Sequence, residues 1–420
     1  MSERAAGEAA AGPGARRPAH GWLIGLMFVA IMLNYVDRQI IALLKPTLQQ
    51  AFGWSEIAYG HMAQSFQLAG AFGALAAGWF IDRTGVKRGF ALGVGTWSLA
   101  AMAHAVATSV TAFFGARVVL GLAEATGTPA VVKTAAAYFE PAERTRVLGV
   151  SNMAPSLGAV IAPLLIPPLA VMFGWRSTFL AAGGLGLVWV FAWLALKIAP
   201  ARSAAAGEAA VAPARPRLLR MLADRRTWAL VIAKSLADLV WWFSIFFMPD
   251  LFHRLFHLSQ GRLGLPVAAV YAMAAAGSFS GGQVHGALMR AGVAPAAARK
   301  RTILGFAMVL LLAPLVLVLK DPWAATAVLG VALFAYQGVS TNIFGGATDL
   351  FPPAAVGSAI GLATFVGNIA GVGMSGLSAW CLQNGWGYGP MLAIVAVAPL
   401  LALLALQLLA PRLDAARLEA

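Results

Sequence analysis

Residues 78–88 read GWFIDRTGVKR, a short charged stretch between two long apolar runs. Its glycines allow a tight turn and a close approach of the flanking segments, because glycine has no side chain to obstruct either. Asp82 stands among bases and can pair with one of them or with the N-terminus of a neighbouring helix. We therefore expect Gly78, Asp82 and Arg83 to form a structural gate that braces these segments when this side of the molecule is closed. An ordinary charged loop is the alternative.

The composition around this stretch is that of a membrane protein. The chain has 420 residues, of which 60% are hydrophobic and only 11% are charged, and its mean hydropathy is +0.78. Soluble domains are usually about 45–50% apolar and about 25% charged. The sequence therefore predicts an integral membrane protein, with the lipid bilayer as a partner.

Twelve apolar runs are long enough to cross a membrane, because a helix spans roughly 30 Å of hydrocarbon with about 20 residues. They cover residues 22–44, 57–80, 88–107, 111–137, 146–172, 178–198, 227–252, 264–290, 300–319, 323–346, 355–380 and 388–410. We therefore predict an all-α membrane protein with twelve transmembrane helices.

The regular alternation of runs and short turns is broken once, at residues 200–226. This segment is rich in Ala, Pro and Arg, which is typical of a linker, and it divides a six-helix bundle at 22–199 from a second one at 227–410. Short tails at 1–21 and 411–420 flank the bundles. An even number of spans places both tails on one side of the membrane.

The distribution of basic residues predicts the orientation. In the twelve-span layout, 21 of the 30 Lys and Arg residues lie on the face that carries the termini, five lie on the opposite face, and four lie inside spans. Cytoplasmic loops carry the excess of Lys and Arg, so we expect both termini in the cytoplasm and the protein in a bacterial inner membrane. Topology then explains the net charge of +14, and no nucleic-acid partner is expected.

Several classes of site are not predicted. Cys381 is the single cysteine, so no intrachain disulfide and no thiolate metal cage can form. The histidines lack metal-ligand spacing, and the sequence contains no phosphate-binding loop, nucleotide fingerprint or nucleophile elbow. We predict no metal, no cofactor, no enzymatic activity and no obligate protein partner.

Four ionisable residues inside predicted spans, Asp37, Arg38, Arg117 and Glu124, are the strongest functional signal. A charge at the bilayer centre costs about 2.5–3.5 kcal/mol on insertion scales, so a sequence rarely carries one without a use. From the helical rise, Arg117 lies about 9 Å and Glu124 about 20 Å from one surface, while Arg38 lies about 24 Å from the other. Two acids and two bases at similar depth predict a buried site for an anion and a proton, and hence a coupled transporter.

Several motifs resemble those of known transporters. Residues 78–88 are similar to the G-x-x-x-D-R-x-G-x-K-R signature of the major facilitator superfamily, which implies two six-helix halves around a central site. Residues 34–38, NYVDR, resemble the N-Y-x-D-R motif of the anion:cation symporter family, and residues 116–125, ARVVLGLAEA, resemble its helix-4 motif. Residues 236–243 and 337–342 are similar to the hexuronate-transporter branch of that family.

The resemblance implies a role for each buried charge. Arg38 holds the substrate carboxylate, which a planar guanidinium can bind bidentately, and we expect Tyr35 to contact the same ligand. Glu124 is the main proton carrier, and Asp37 with Arg117 forms a second, coupled proton site. The anion and the proton would then stabilise each other, which is the coupling. A structural ion pair between helices is the alternative for Asp37 and Arg117.

Further substrate contacts are expected in the second half. Asp238 is a candidate, although it lies four residues from Lys234 and the two can pair with each other. The other candidates are the aromatic residues Trp241 and Trp242 and the polar residues Gln337, Ser340, Asn342 and Asn368. The rings can stack on a sugar or pack against neighbours, and each polar side chain can bind a substrate hydroxyl or join two helices.

Three positions depart from the sugar-acid pattern, because Gly70, Pro155 and Thr364 stand where family members usually carry polar pocket residues. A polyol pocket needs matched donors and acceptors. The resemblance still favours proton-coupled import of an organic anion, a hexuronate or related sugar acid, by alternating access. The alternatives are symport or exchange of another carboxylate, such as an aromatic or dicarboxylic acid, and a non-transporting nutrient sensor.

Overall fold

The computed structural model describes residues 13–196 and 218–413. The predicted tails at 1–21 and 411–420 and the predicted linker at 200–226 fall largely outside these residues, and their boundaries stay predictions.

Long helices built from the apolar runs make up the first half. They are α1 (Pro13–Leu43), α2 (Lys45–Phe52), α3 (Glu56–Thr84), α4 (Val86–Val106), α5 (Val110–Glu124), α6 (Gly127–Tyr138), α7 (Pro141–Ser151), α8 (Ala154–Phe173) and α9 (Trp175–Ala195).

The second half repeats this plan. Its helices are α10 (Leu218–Ala223), α11 (Arg225–Phe256), α12 (Gly264–Arg290), α13 (Pro295–Leu310), α14 (Pro322–Leu350), α15 (Pro353–Gln383) and α16 (Gly389–Leu409), with short 3-10 turns at Gln260–Arg262 and Ala313–Leu317.

The twelve-span prediction is confirmed. Within the described residues, eleven helical stretches are long and apolar enough to cross a membrane. The twelfth span is α3, which has 29 residues and carries Gln64 and Gln67, polar residues that bind the other half. The short helices α2 and α10 were not predicted, because neither forms an apolar run of its own.

Proline divides the fourth span into α5 and α6. Pro129 has no N–H to donate to the carbonyl of Ala125, so the helix breaks at Ala125 and Thr126. The break makes Glu124 the last residue of α5, and its backbone carbonyl accepts a hydrogen bond of 3.3 Å from Nδ2 of Asn34 in α1. The break therefore fixes a carboxyl side chain near the middle of the bundle.

The two halves meet along matching pairs of helices. α3 packs against α15, α8 against α12, and α1 against α11. We call the face that carries Pro13 and Leu413 the terminal face, and the opposite one the distal face. α1 and α11 both run from the terminal face to the distal face, so residues on these two helices can be compared by height.

A glycine contact brings α3 and α5 together beside the buried charges. A Cβ atom on Gly121 would lie 2.6 Å from the carbonyl oxygen of Phe66, and one on Gly73 would lie 2.8 Å from that of Leu122. Only glycine allows backbones this close.

Candidate functional site

Arg38 and Glu124 form an ion pair at the centre of the first half. Nε of Arg38 donates to Oε2 of Glu124 over 2.9 Å, and the side chains are 19% and 1% exposed respectively. The guanidinium also lies over the ring of Tyr35, 4.7 Å from its centroid. The structure therefore brings together the residues predicted to hold the substrate and to carry the proton.

Asp37 and Arg117 lie in the same buried region without binding each other. No ion pair within 4.0 Å joins them among the described residues, so the structural ion pair that was the alternative for these two residues is not formed. Nη2 of Arg117 instead donates to the backbone carbonyl of Arg38 over 3.4 Å, and its guanidinium lies 4.5 Å from the ring centroid of Phe66. Oδ1 of Asp37 is buried without a hydrogen-bond partner. Adjacent helical residues point about 100° apart. Arg38 therefore binds Glu124 while the neighbouring Asp37 points in another direction.

Aromatic rings from both halves meet beside Arg38. Trp241 in α11 lies 6.5 Å from Tyr35 in α1, measured between ring centroids. Trp241 also stacks on Tyr336 of α14 at 6.0 Å and meets the edge of Tyr271 of α12 at 6.4 Å. Tyr271 and Tyr336 were not singled out from the sequence, because single tyrosines in apolar runs give no periodic signal. We call Tyr35, Trp241, Tyr271 and Tyr336 the aromatic wall.

Lys234 and Asp238 form a second buried ion pair, between Nζ of the lysine and Oδ1 of the aspartate. Lys234 also lies 5.0 Å from the ring centroid of Phe344 in α14. Oδ2 of Asp238 rests against Gly367 of α15, where a Cβ atom would lie only 2.0 Å away. The two residues are therefore held by each other, as the sequence allowed.

The other predicted residues of the second half differ in what they contact. Asn342 is buried and donates from Nδ2 to the carbonyls of Gly281 and Gly338, so it joins α12 to α14. Trp242 packs on Phe246 at 5.7 Å between ring centroids and against Gly371.

Three predicted polar residues remain near α14 and α15. Gln337 is half-buried and Ser340 is buried. Asn368 is half-buried and donates to the carbonyl of Thr364 over 2.9 Å. Within the part of the chain that the structure describes, no group of three or more His, Cys, Asp or Glu residues could hold a metal ion.

The residues of the predicted gate lie at the terminal face. Lys133 of α6 pairs with Asp82 and donates to the carbonyl of Gly78 over 2.7 Å. Arg83 lies over the ring of Trp79, 5.9 Å from its centroid. The side chain of Asp82 is 70% exposed, so these contacts tie α3 to α6 within one half.

A charged cluster that the sequence did not reveal closes the distal face. Lys45, which is fully buried, donates to Oε2 of Glu56 and to Oδ2 of Asp250, each over 2.7 Å. Arg254 pairs with the same two acids, and the hydroxyl of Tyr388 binds Asp250. We call Lys45, Glu56, Asp250 and Arg254 the distal cluster. Its two bases and two acids join the first half to the second.

Further polar contacts continue this closure towards the centre. The hydroxyl of Tyr59 donates to the carbonyl of Phe246 over 2.5 Å, and Gln67 donates to Oγ of Ser375 over 2.8 Å. The halves are thus bound together from the distal face down to the depth of Gln67.

These features define a class of protein: a multi-pass membrane transporter with a buried base–acid pair in each of its two six-helix halves. The Major Facilitator Superfamily model matches residues 27–375. The chain belongs to the Major Facilitator Superfamily.

Named proteins and a solved structure are similar over most of the chain. The hexuronate transporter of Escherichia coli K12 is 25% identical over 406 residues, covering 90% of this chain and 91% of that one. The probable L-galactonate transporter of the same organism is 27% identical over 334 residues, covering 76% and 74%. A crystal structure of a D-xylose-proton symporter shares the fold, with a TM-score of 0.74 at 14% identity, covering 92% and 96%. The relatives are transporters rather than enzymes, and the expected resemblance to sugar-acid transporters is confirmed.

Proposed function

We propose that this protein is a proton-coupled carrier that imports an organic anion, a hexuronate or a related sugar acid, by alternating access. The observation that carries the proposal is the contact of Arg38 with Glu124, because one arginine can satisfy either an internal carboxylate or a substrate carboxylate. The names of the curated relatives support a sugar acid as the substrate class.

The coupling follows from an exchange of partners. While Glu124 is ionised it neutralises Arg38, and an incoming anion must compete with it. Burial away from water favours the neutral form of a carboxylic acid, so a proton on Glu124 removes the competitor and frees Arg38 for the substrate. Each ligand then raises the affinity for the other by the same factor. Asp37 and Arg117 supply a second proton site beside this pair.

The body of the substrate would lie against the aromatic wall. Tyr35 and Trp241 come from different halves, so a ligand between Arg38 and Trp241 contacts both halves at once. Gln337, Ser340 and Asn368 offer polar groups for hydroxyls. We assign structural roles to Asn342 and Trp242, because their side chains already contact other residues of the protein.

The cycle requires a chamber that opens to one side at a time. The excess of Lys and Arg supports a cytoplasmic terminal face and a distal face outside the inner membrane. The distal cluster then closes the outward route in this conformation. Loss of the proton from Glu124 to the cytoplasm would restore its bond to Arg38 and expel the anion.

Transport by reconstituted protein tests the proposal. In proteoliposomes with an inward proton gradient, Glu124→Gln should keep substrate exchange and lose gradient-driven accumulation, because the amide cannot release a proton. The exposed Glu143→Gln serves as the matched control and should accumulate normally. Arg38→Lys should bind substrate about a hundredfold more weakly, because charge-assisted bidentate contacts are lost. Full concentrative uptake by Glu124→Gln would remove Glu124 from the mechanism.

A further inference from the structure

A cleft at the distal face lies directly outside the distal cluster. α2 and the turn that follows it form one wall, and the end of α11 forms the other, so the two halves meet across it. Its volume of about 400 Å³ lies within the range of small-molecule sites, about 300–1,000 Å³. Its polar and aromatic lining residues are Gln49, Gln50, Trp54, Asp250, His253 and Arg254. The proposed cycle assigns no function to this cleft.

Trp54 brings an unused hydrogen-bond donor to the cleft. The residue is 6% exposed, and its indole Nε1 is buried without a hydrogen-bond partner. Its ring is held in place by Phe52, at 5.3 Å between ring centroids, and by Phe113, at 4.9 Å. A buried donor without an acceptor is costly, and an indole nitrogen can only donate. A ligand that satisfies Trp54 must therefore bring an acceptor.

Arg254 brings a positive charge to the same cleft. Its Nε donates to Asp250 over 2.9 Å and its Nη2 donates to Glu56, yet the side chain is 38% exposed. Its Nη1 makes no hydrogen bond to the described residues. Since a guanidinium carries five N–H donors, Arg254 can bind one more acceptor from the cleft without leaving its two acids.

The acids of the distal cluster are already bound by protein donors. Three donors converge on Oδ2 of Asp250, and three converge on the carboxylate of Glu56. The distal face as a whole has an excess of bases, which are Lys45, Arg176, Arg254, Arg262 and Lys320 against Glu56, Asp250 and Asp321. The free donors and this excess of positive charge favour an anion in the cleft.

We propose that the cleft is an outer anion site, where the carboxylate of an arriving substrate binds Arg254 while another of its oxygens accepts from Trp54. The proposal rests on the proposed function, since the ligand is the same organic anion. A carboxylate on Arg254 competes with Glu56 and Asp250 for the guanidinium. Binding at the cleft therefore weakens the contacts that hold the distal face closed, and arrival of the substrate favours opening.

Protection of an introduced thiol tests the site. Gln50→Cys combined with Cys381→Ser places one thiol on the wall of the cleft in the full-length protein, since Gln50 is exposed. Labelling by a neutral maleimide should slow as glucuronate is added, by about tenfold at ten times the half-protecting concentration. Glucose, which has a hydroxymethyl group in place of the carboxylate, should not protect. Lys320→Cys gives an exposed distal thiol outside the cleft, and neither sugar should change its labelling.

Three further variants separate the outer site from the central one. Protection should persist in Arg38→Lys, because the cleft does not contain Arg38. Trp54→Phe keeps a ring and loses the N–H, so the half-protecting concentration should rise about tenfold with the loss of a hydrogen bond to a charged acceptor. Trp175→Phe makes the same change in a neighbouring ring that does not line the cleft, and it should leave this concentration unaltered.

The other outcomes overturn the outer site. Protection that disappears in Arg38→Lys would assign the effect to substrate bound at the centre. Equal protection by glucuronate and glucose, protection by neither, or an unaltered half-protecting concentration in Trp54→Phe would also reject the site. Failure of the proposed function has a different signature, which is the absence of gradient-driven uptake by the wild type while glucuronate still protects the thiol.

Discussion

Arg38 of α1 and Glu124 of α5 are joined by an ion pair of 2.9 Å, deep in the first half and beside the aromatic wall. Hydrogen bonds to charged groups contribute about 1.5–3 kcal/mol, so an anion cannot displace Glu124 from Arg38 without a comparable gain. In the proposed cycle, protonation of Glu124 supplies that gain, so that two carboxylates compete for one guanidinium.

The two adjacent tryptophans of α11 should behave differently when truncated. Trp241→Ala removes a ring of the aromatic wall and should weaken substrate binding about tenfold, because apolar surface is lost from the ligand site. Trp242→Ala empties a packed position against Gly371 and should cost about 3–5 kcal/mol of stability, with little change in affinity. Calorimetric binding and thermal unfolding of both variants check this. Equal effects on binding would contradict the assignment.

The distal cluster should control access from outside. Lys45→Met leaves Glu56 and Asp250 with one base between them, and breaking a buried pair costs about 3–5 kcal/mol. We expect the outward-open population to increase.

Alkylation measures this opening. Gln67→Cys, introduced together with Cys381→Ser, places one thiol in the closed interface. A charged maleimide added from the distal side should label it faster in Lys45→Met. The exposed distal residue change Lys320→Met is the control and should leave the rate unaltered. An unaltered rate in Lys45→Met would show that the cluster does not hold the face closed.

Two glycines of α5 provide a stability test with an internal control. A methyl group on Gly121 would press on the backbone of Phe66, so Gly121→Ala should lower the midpoint of thermal unfolding. Gly115 has open space around its Cβ position, and alanine is better than glycine in a helix by about 1 kcal/mol. Gly115→Ala should therefore raise the midpoint or leave it unchanged. A lower midpoint for Gly115→Ala alone would contradict this packing.

The helices could be predicted from the sequence because each long apolar run forms a helix that crosses the bilayer. The main exceptions are the fourth and fifth spans, which are each divided into two helices near Pro129 and Pro155. The short helix Lys45–Phe52 was not predicted, because amphipathic segments at a membrane surface carry no long apolar run.

The sequence predicted which residues form the charged site better than it predicted which of them pair with each other. Arg38 and Glu124 were recognised because charge inside a span is costly, yet which acid meets which base depends on side-chain direction. The distal cluster was missed for a related reason. Lys45 and Arg254 lie near the ends of spans, where basic side chains commonly extend to water. Their pairing with acids across the two halves is visible only in the three-dimensional structure.

Substrate affinity as a function of pH tests the exchange at Arg38 most directly. Calorimetric titration of the purified protein with a fully ionised sugar acid should show wild-type affinity falling as pH rises, by up to about tenfold per pH unit for each coupled proton. The sign follows because deprotonated Glu124 competes for Arg38. In Glu124→Gln the amide is always neutral, so affinity should be high and lose most of this dependence. An identical pH dependence in the variant, or affinity that rises with pH in the wild type, would contradict the account.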